Sequence, residues 1–136
     1  VRLVLDAEAV SVLIGAERGS RLTVRRAMEA AYRLDRDVAI ATLTLAELYR
    51  GAGRSQALDS LLARENDAVL LRDTDRQLAR VVGSVLSQAS MSSAHIVDAH
   101  AVALAVEDGG GVVLTADVAD LERLAAPYRT IAIEGS

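Results

Sequence analysis

The sequence predicts an α/β domain in which helices cover both faces of a central parallel sheet of four or five strands. Three observations lead there. Short apolar runs that do not alternate with polar residues recur along the chain, such as Leu3-Val4-Leu5, Val38-Ala39-Ile40-Ala41 and Val112-Val113-Leu114. Strands of that kind are buried on both faces, as parallel sheets are. Between them lie segments with apolar residues three and four apart, the βα alternation that builds such a sheet. Finally, 136 residues, 51% of them hydrophobic, suffice for one cored domain but are short for two. A single domain over residues 1–136 is expected.

Leu3 to Leu5 forms the first strand and ends at Asp6. Ala9, Val10, Leu13 and Ile14 mark a helix from Ala7 to about Glu17, stopped by Gly19. Ser20 is the expected cap of a second helix. One side of it carries Val24, Ala27, Met28, Ala31 and Tyr32, the other Arg21, Arg25, Arg26, Glu29 and Arg33. The strand over 38–41 follows, then a short helix from Thr44 to Arg50 ending at Gly51. A helix over 55–64, a candidate strand over 68–71 and a longer helix from Asp73 or Thr74 to about Ala89 come next. Ser92 or Ser93 caps a helix that runs to Glu107 and is closed by Gly109-Gly110-Gly111. A strand over 112–114, a helix over 118–125 and a strand over 130–133 complete the order. No repeat, low-complexity segment or linker interrupts it, and Pro127 is the single proline.

Composition removes several chemistries. Cysteine is absent, and with it disulfides, thiolate metal sites and thiol nucleophiles. All 15 basic residues are Arg, so there is neither a P-loop Lys nor a Schiff-base Lys. With no Phe and no Trp the core must be aliphatic. No apolar run reaches the ~18 residues of a membrane span. The first ten residues hold charge and lack the apolar stretch and cleavage site of a signal peptide. A cytoplasmic protein without membrane partners is therefore expected. The net charge of −4 argues on its face against nucleic-acid binding, which usually asks for a basic footprint.

Four acids nevertheless stand in places that suggest a site. Ligands of parallel sheets bind beyond the C-terminal ends of the strands, and Asp6 and Asp117 both fall just past such ends. Each also reads as the N-cap of the helix that follows. Asp120, one turn further on, is either a further ligand or a solvent-facing acid. Glu47 closes Thr44-Leu45-Ala46-Glu47, which matches a capping box, yet its neighbours make the short helix mostly apolar. Asp98 is hardest to explain structurally. The segment from Ala94 to Val106 has only His95, Asp98 and His100 as strongly polar residues, and a helix apolar nearly all round is buried. An ionised carboxylate there is costly unless it is paired, with an Arg for instance, or binds metal. If the strands carrying Asp6 and Asp117 are neighbours, the four acids converge as an all-oxygen set suited to Mg²⁺ or Mn²⁺. His95 and His100 are too close and too differently aimed for a zinc site with them. His95, one turn before Asp98, is a candidate substrate contact, and His100 a core or helix-surface residue.

Four stretches, Leu3 to Ala7, Thr44 to Gly51, Val97 to Ala103 and Val113 to Leu121, together resemble the PIN-domain nucleases, specifically the VapC toxins of bacterial toxin–antitoxin pairs. The resemblance spans almost the whole chain. It implies a PIN-like fold and an endoribonuclease that needs Mg²⁺ or Mn²⁺. It places the catalytic acids at Asp6, Glu47, Asp98 and Asp117. Asp6, Asp98 and Asp117 would be the metal ligands, with Glu47 and Asp120 as optional ones. It further implies a cognate VapB-type antitoxin, an RNA substrate, hydrolysis by metal-activated water and a homodimer. One departure is Glu8, where many relatives carry Ser or Thr, so the substrate contact expected there is in doubt.

The four acids, once ionised, equal the formal excess of −4, so bound cations would offset it. Phosphate contacts would rest on Arg, with Arg50 beside Glu47 as the candidate at the rim. The cluster of Arg21, Arg25 and Arg26 is expected to be a solvated face. Two other readings remain. One is a PIN-like, non-catalytic module of an antitoxin-dependent DNA-binding regulatory complex. The other is a phosphotransfer protein of receiver or dehalogenase-like type, whose catalytic Lys is missing here.

Overall fold

The computed structural model describes residues 1–135, leaving Ser136 outside. Its elements follow the order β1 (Arg2–Leu5), α1 (Ala7–Ile14), α2 (Arg18–Arg33), β2 (Asp37–Ala41), α3 (Thr42–Ala46), α4 (Ala52–Arg64), β3 (Val69–Arg72), α5 (Arg76–Ala89), α6 (Ile96–Glu107), β4 (Gly111–Thr115), α7 (Val118–Ala125) and β5 (Ile131–Gly135), with a 3₁₀ turn over Ser93–His95 leading into α6. All five strands are parallel, in the order β3-β2-β1-β4-β5. The expected parallel sheet flanked by helices is therefore present, with five strands.

The central strand β1 sends alternate side chains to opposite faces, as the two-residue strand period requires. Leu3 and Leu5 join Val38, Ile40 and the apolar sides of α1, α2 and α4 in one aliphatic layer. Val4 joins Ala39, Ala41, Val113 and the apolar sides of α5, α6 and α7 in the other. Every residue of α6 from Ala99 to Ala105 is buried. Its run of alanines puts little bulk between helix and sheet, and it lies against β1, β2 and β4. Among the described residues no helix is long and apolar enough to cross a membrane.

Helix α4 begins at Ala52, three residues before the expected start at Ser55, and four further boundaries differ from the sequence reading, each for a local reason. The first helix ends at Ile14 because Gly15 turns its N–H onto Val12 O (3.2 Å), so Gly19 and Ser20 already belong to α2. Glu17, not Ser20, stands at the cap position of α2, and its side chain makes no capping bond. Helix α3 starts directly after β2, which moves Thr44 into its interior and Glu47 to its C-terminal end. Asp75 is the residue that caps α5, accepting the Leu78 N–H at 2.8 Å.

Gly111 has a specific task. It pairs with Arg2 at the start of β1, with φ at +153°, and a Cβ there would collide with Arg2 O. Only glycine permits this approach of two central strands. Beside it, Glu107 at the end of α6 accepts from Arg2 Nη1 (2.7 Å) and, in a bidentate fork, from Arg72 Nε (3.0 Å) and Nη2 (3.1 Å). This ion cluster ties α6 to β1 and to the end of the edge strand β3. Burial works to raise the Glu107 carboxyl, but the bonds from Arg72 and Arg2 outweigh it and hold the group below its ordinary value.

Candidate metal centre

Strand β1 is hydrogen-bonded to β4 with Leu5 opposite Leu114, and the Asp6 N–H donates to Leu114 O at 3.3 Å. Asp6 and Asp117 therefore leave the sheet from adjacent strand ends. Helix α6 brings its first turn to the same edge and contacts both α3, which ends at Glu47, and α7, which carries Asp120. The sequence-predicted acids thus arise from separate elements that meet at one end of the sheet.

Asp6 is 4% exposed, and its Oδ1 accepts the Ala9 N–H at 2.9 Å, so the capping role anticipated for it is real. Burial pushes its carboxyl up to about 6. The charges of Asp98 and Glu8 add to the rise, and hydrogen bonding from Thr115 and Ala9 opposes it. Asp117 is different. It occupies the cap position of α7, yet its side chain makes no capping bond. The turn is closed instead by Thr115, whose Oγ1 accepts the Asp117 N–H (2.9 Å) and donates to Asp117 O (3.1 Å). The Asp117 carboxylate is left exposed and uncommitted. For Glu47 the capping-box explanation fails as well, because its would-be partner Thr44 is in mid-helix, buried, with an Oγ1 that has no partner.

Asp98 is the electrostatic hub. Burial raises its carboxyl above the usual carboxylate range, and the like charges of Glu47, Asp120 and Asp117 raise it further, while His95 works the other way. Among the described residues no Arg forms an ion pair with Asp6, Glu47, Asp98, Asp117 or Asp120. The Arg partner left open for Asp98 from sequence is not there. Carboxylates gathered without a neutralising side chain are the donor set that a hard divalent cation fits.

Other sequence candidates separate clearly. Glu8 is exposed on the first turn of α1, close enough to act on Asp6 through its charge. Arg50 is exposed three residues past Glu47, and among the described residues its side chain has no ion-pair partner. His100 turns into the core, with Nδ1 2.7 Å from Ile96 O and Nε2 2.8 Å from Thr74 Oγ1. His95, the candidate substrate contact, lies with Asp98 and Asp120 in a group whose ligand atoms are within 4.8 Å of one another. Thr115 was missed altogether, although a hydroxyl two residues before Asp117 is the signal of a side-chain-closed turn. Arg21 and Arg25, expected on a solvated face, line a recess with Arg18, Arg64, Leu13 and Leu22, while Arg26 is exposed.

A solved structure with a similar fold is the crystal structure of VapBC2 from Rickettsia felis bound to a DNA fragment from their promoter, with a TM-score of 0.68 at 15% identity over 100% of this chain and 99% of that one. At that identity the likeness speaks for fold alone. No curated protein sequence matches the chain. The model of the PIN domain matches residues 3–127, nearly the full length. PIN domains are in general nucleases that work with divalent metals. With its sheet order, its acids at the strand ends and this match, the chain belongs to the PIN domain family.

Proposed function

We propose that the chain is an endoribonuclease dependent on Mg²⁺ or Mn²⁺, acting as the toxin of a VapBC-type toxin–antitoxin pair. What supports this is that Asp6 and Asp117 leave adjacent strand ends and that Asp98 feels the charges of Glu47, Asp117 and Asp120, while among the described residues no Arg forms an ion pair with any of them. Asp6, Asp98 and Asp117 would hold the principal ion, with Glu47 and Asp120 free to join it or orient water. When bound, a divalent ion makes water nucleophilic near neutral pH and offsets charge on the scissile phosphate.

The chain's own residues supply the rest. Asp6 is fixed by its bond to the Ala9 N–H and Asp98 by the first turn of a buried helix, so both are preorganised. Thr115 holds the turn at Asp117 through its hydroxyl and also acts on the Asp6 carboxyl, lowering its pull on a proton. Arg50, exposed beside the site, is the proposed phosphate contact. Hydrolysis by this route needs no covalent enzyme intermediate and leaves a 5′-phosphate and a 3′-hydroxyl.

The proposed partner is a VapB-type antitoxin. The recess between α1, α2 and α4 combines apolar Leu13 and Leu22 with Arg18, Arg21 and Arg64, which suits an acidic segment with apolar side chains. The non-catalytic reading, a module for DNA-binding regulation, gives no reason to assemble five unneutralised carboxylates. Purified protein incubated with RNA separates the two. Cleavage should require Mg²⁺ or Mn²⁺, stop with a chelator and be lost in Asp98→Asn with the fold intact. Full activity in that variant would sink the assignment.

A further inference from the structure

We propose that His95 is a ligand of the metal centre, binding through nitrogen together with Asp98 and Asp120, and that this donor makes the site prefer Mn²⁺ over Mg²⁺. The inference rests on reading the acids as a metal site, and it adds a residue and a selectivity which that reading does not supply.

The geometry comes from the entry to α6. Ser92 Oγ accepts the Ala94 N–H (3.3 Å) and Ser92 O the His95 N–H (3.1 Å), forming the 3₁₀ turn that ends at His95. Three residues later comes Asp98, on the same side of the helical path. Asp120 reaches the pair from α7. His95 Nδ1 stands 3.8 Å from Asp120 Oδ2, and one ligand atom from each of the three residues lies within 4.8 Å of the others. Donors that share one ion at roughly 2.1–2.2 Å can be no more than about 4.4 Å apart, so an adjustment of a few tenths of an ångström closes the set. His95 at 32% and Asp120 at 50% exposure have room for it, while Asp98 is held by its helix.

At 3.8 Å the His95–Asp120 approach is too long for a hydrogen bond and is an ion pair only when the ring is protonated. Apart from this approach, the His95 ring has no partner among the described residues, whereas His100 on the next turn has both ring nitrogens engaged. A free ring facing two carboxylates is placed as a donor. Mg²⁺ favours oxygen and water, whereas imidazole suits first-row transition ions. An otherwise all-carboxylate centre would discriminate little between Mg²⁺ and Mn²⁺; one nitrogen shifts it towards Mn²⁺.

The test is electron paramagnetic resonance of Mn²⁺ bound to the full chain, with echo-envelope detection of ¹⁴N, alongside Mn²⁺ and Mg²⁺ titrations by calorimetry. Wild type, His95→Gln and Asp98→Asn are compared. The expected result is ¹⁴N modulation in wild type that disappears in His95→Gln. Mn²⁺ affinity should fall about tenfold or more in that variant, and Mg²⁺ affinity less than about threefold. Mn²⁺ binding that Asp98→Asn abolishes but that shows no ¹⁴N coupling in wild type would overturn the His95 assignment and leave the carboxylate centre standing. Absence of Mn²⁺ binding, or binding that Asp98→Asn leaves unchanged, would overturn the metal-centre reading itself.

Discussion

Asp6 carries two tasks that pull against each other. One oxygen secures the start of α1, which stabilises the fold, while the carboxyl as a whole is buried beside Asp98, which destabilises its charged form. The consequence is a definite pH dependence. The folded-state value of about 6 exceeds the ordinary 3.8, so the folded protein holds this proton more tightly. The associated stability is complete below pH 4 and is lost as pH rises through 6. The upper bound is about 3 kcal/mol for a group this buried. Metal-free protein studied by urea unfolding should lose stability across that interval, Asp6→Asn should flatten the loss, and saturating Mn²⁺ should reduce it. An unchanged pH slope in Asp6→Asn would refute the assignment. Asp98→Asn relieves like-charge crowding, so without metal its Tm should rise by a few degrees while Mn²⁺ ceases to raise it; thermal scans with and without Mn²⁺ decide this.

At this scale the sequence was legible in part. Asp98 stood out because a carboxylate in an apolar helix needs a reason, and the structure removes the Arg partner that would have been the ordinary one. Asp117 and Glu47 were masked by capping patterns that their side chains do not follow. The two histidines point different ways, as their spacing suggests: His100 faces the core and His95 lies near Asp98 and Asp120.

Among the elements, two features predict measurable effects on stability. Glu107 is the shared acceptor for Arg2 and Arg72, which are 12% and 19% exposed. Glu107→Ala would leave Arg2 with Leu104 O and the more distant Asp108, and Arg72 with Asp75 and Asp73 O, at a loss of about 1–2 kcal/mol in denaturant unfolding. Gly111→Ala forces a Cβ into Arg2 O and should lose about 3 kcal/mol or more. Element types followed the period of the apolar residues, and α7 begins and ends where the pattern placed it. Boundaries failed where a cap was chosen by residue type. Ser20 was a good cap on chemical grounds, but the chain breaks earlier, at Gly15, and α2 begins without a side-chain cap. The capping box ending at Glu47 failed because β2 passes directly into α3, a connection that no local pattern reveals.

For the molecule as a whole, the decisive fact is strand order. The alternation of elements shows that the sheet is parallel but not that β4 adds beside β1, and only that adjacency brings Asp6 and Asp117 together. The net charge of −4 takes on a different meaning once the acids are gathered at one edge and Arg18, Arg21 and Arg64 line a recess elsewhere. The average hides two opposed regions. RNA held by Arg contacts and bound cations should lose affinity steadily as salt rises, which filter binding with the inactive Asp98→Asn variant can follow. Affinity independent of salt would exclude phosphate contacts as its source. Whether the acid cluster cuts RNA is tested most directly by mapping 5′ ends in total RNA after inducing the wild-type chain and Asp98→Asn. The expected result is a discrete set of new 5′-phosphate ends in wild type that is absent from the variant. The same ends at the same yield in Asp98→Asn would contradict it.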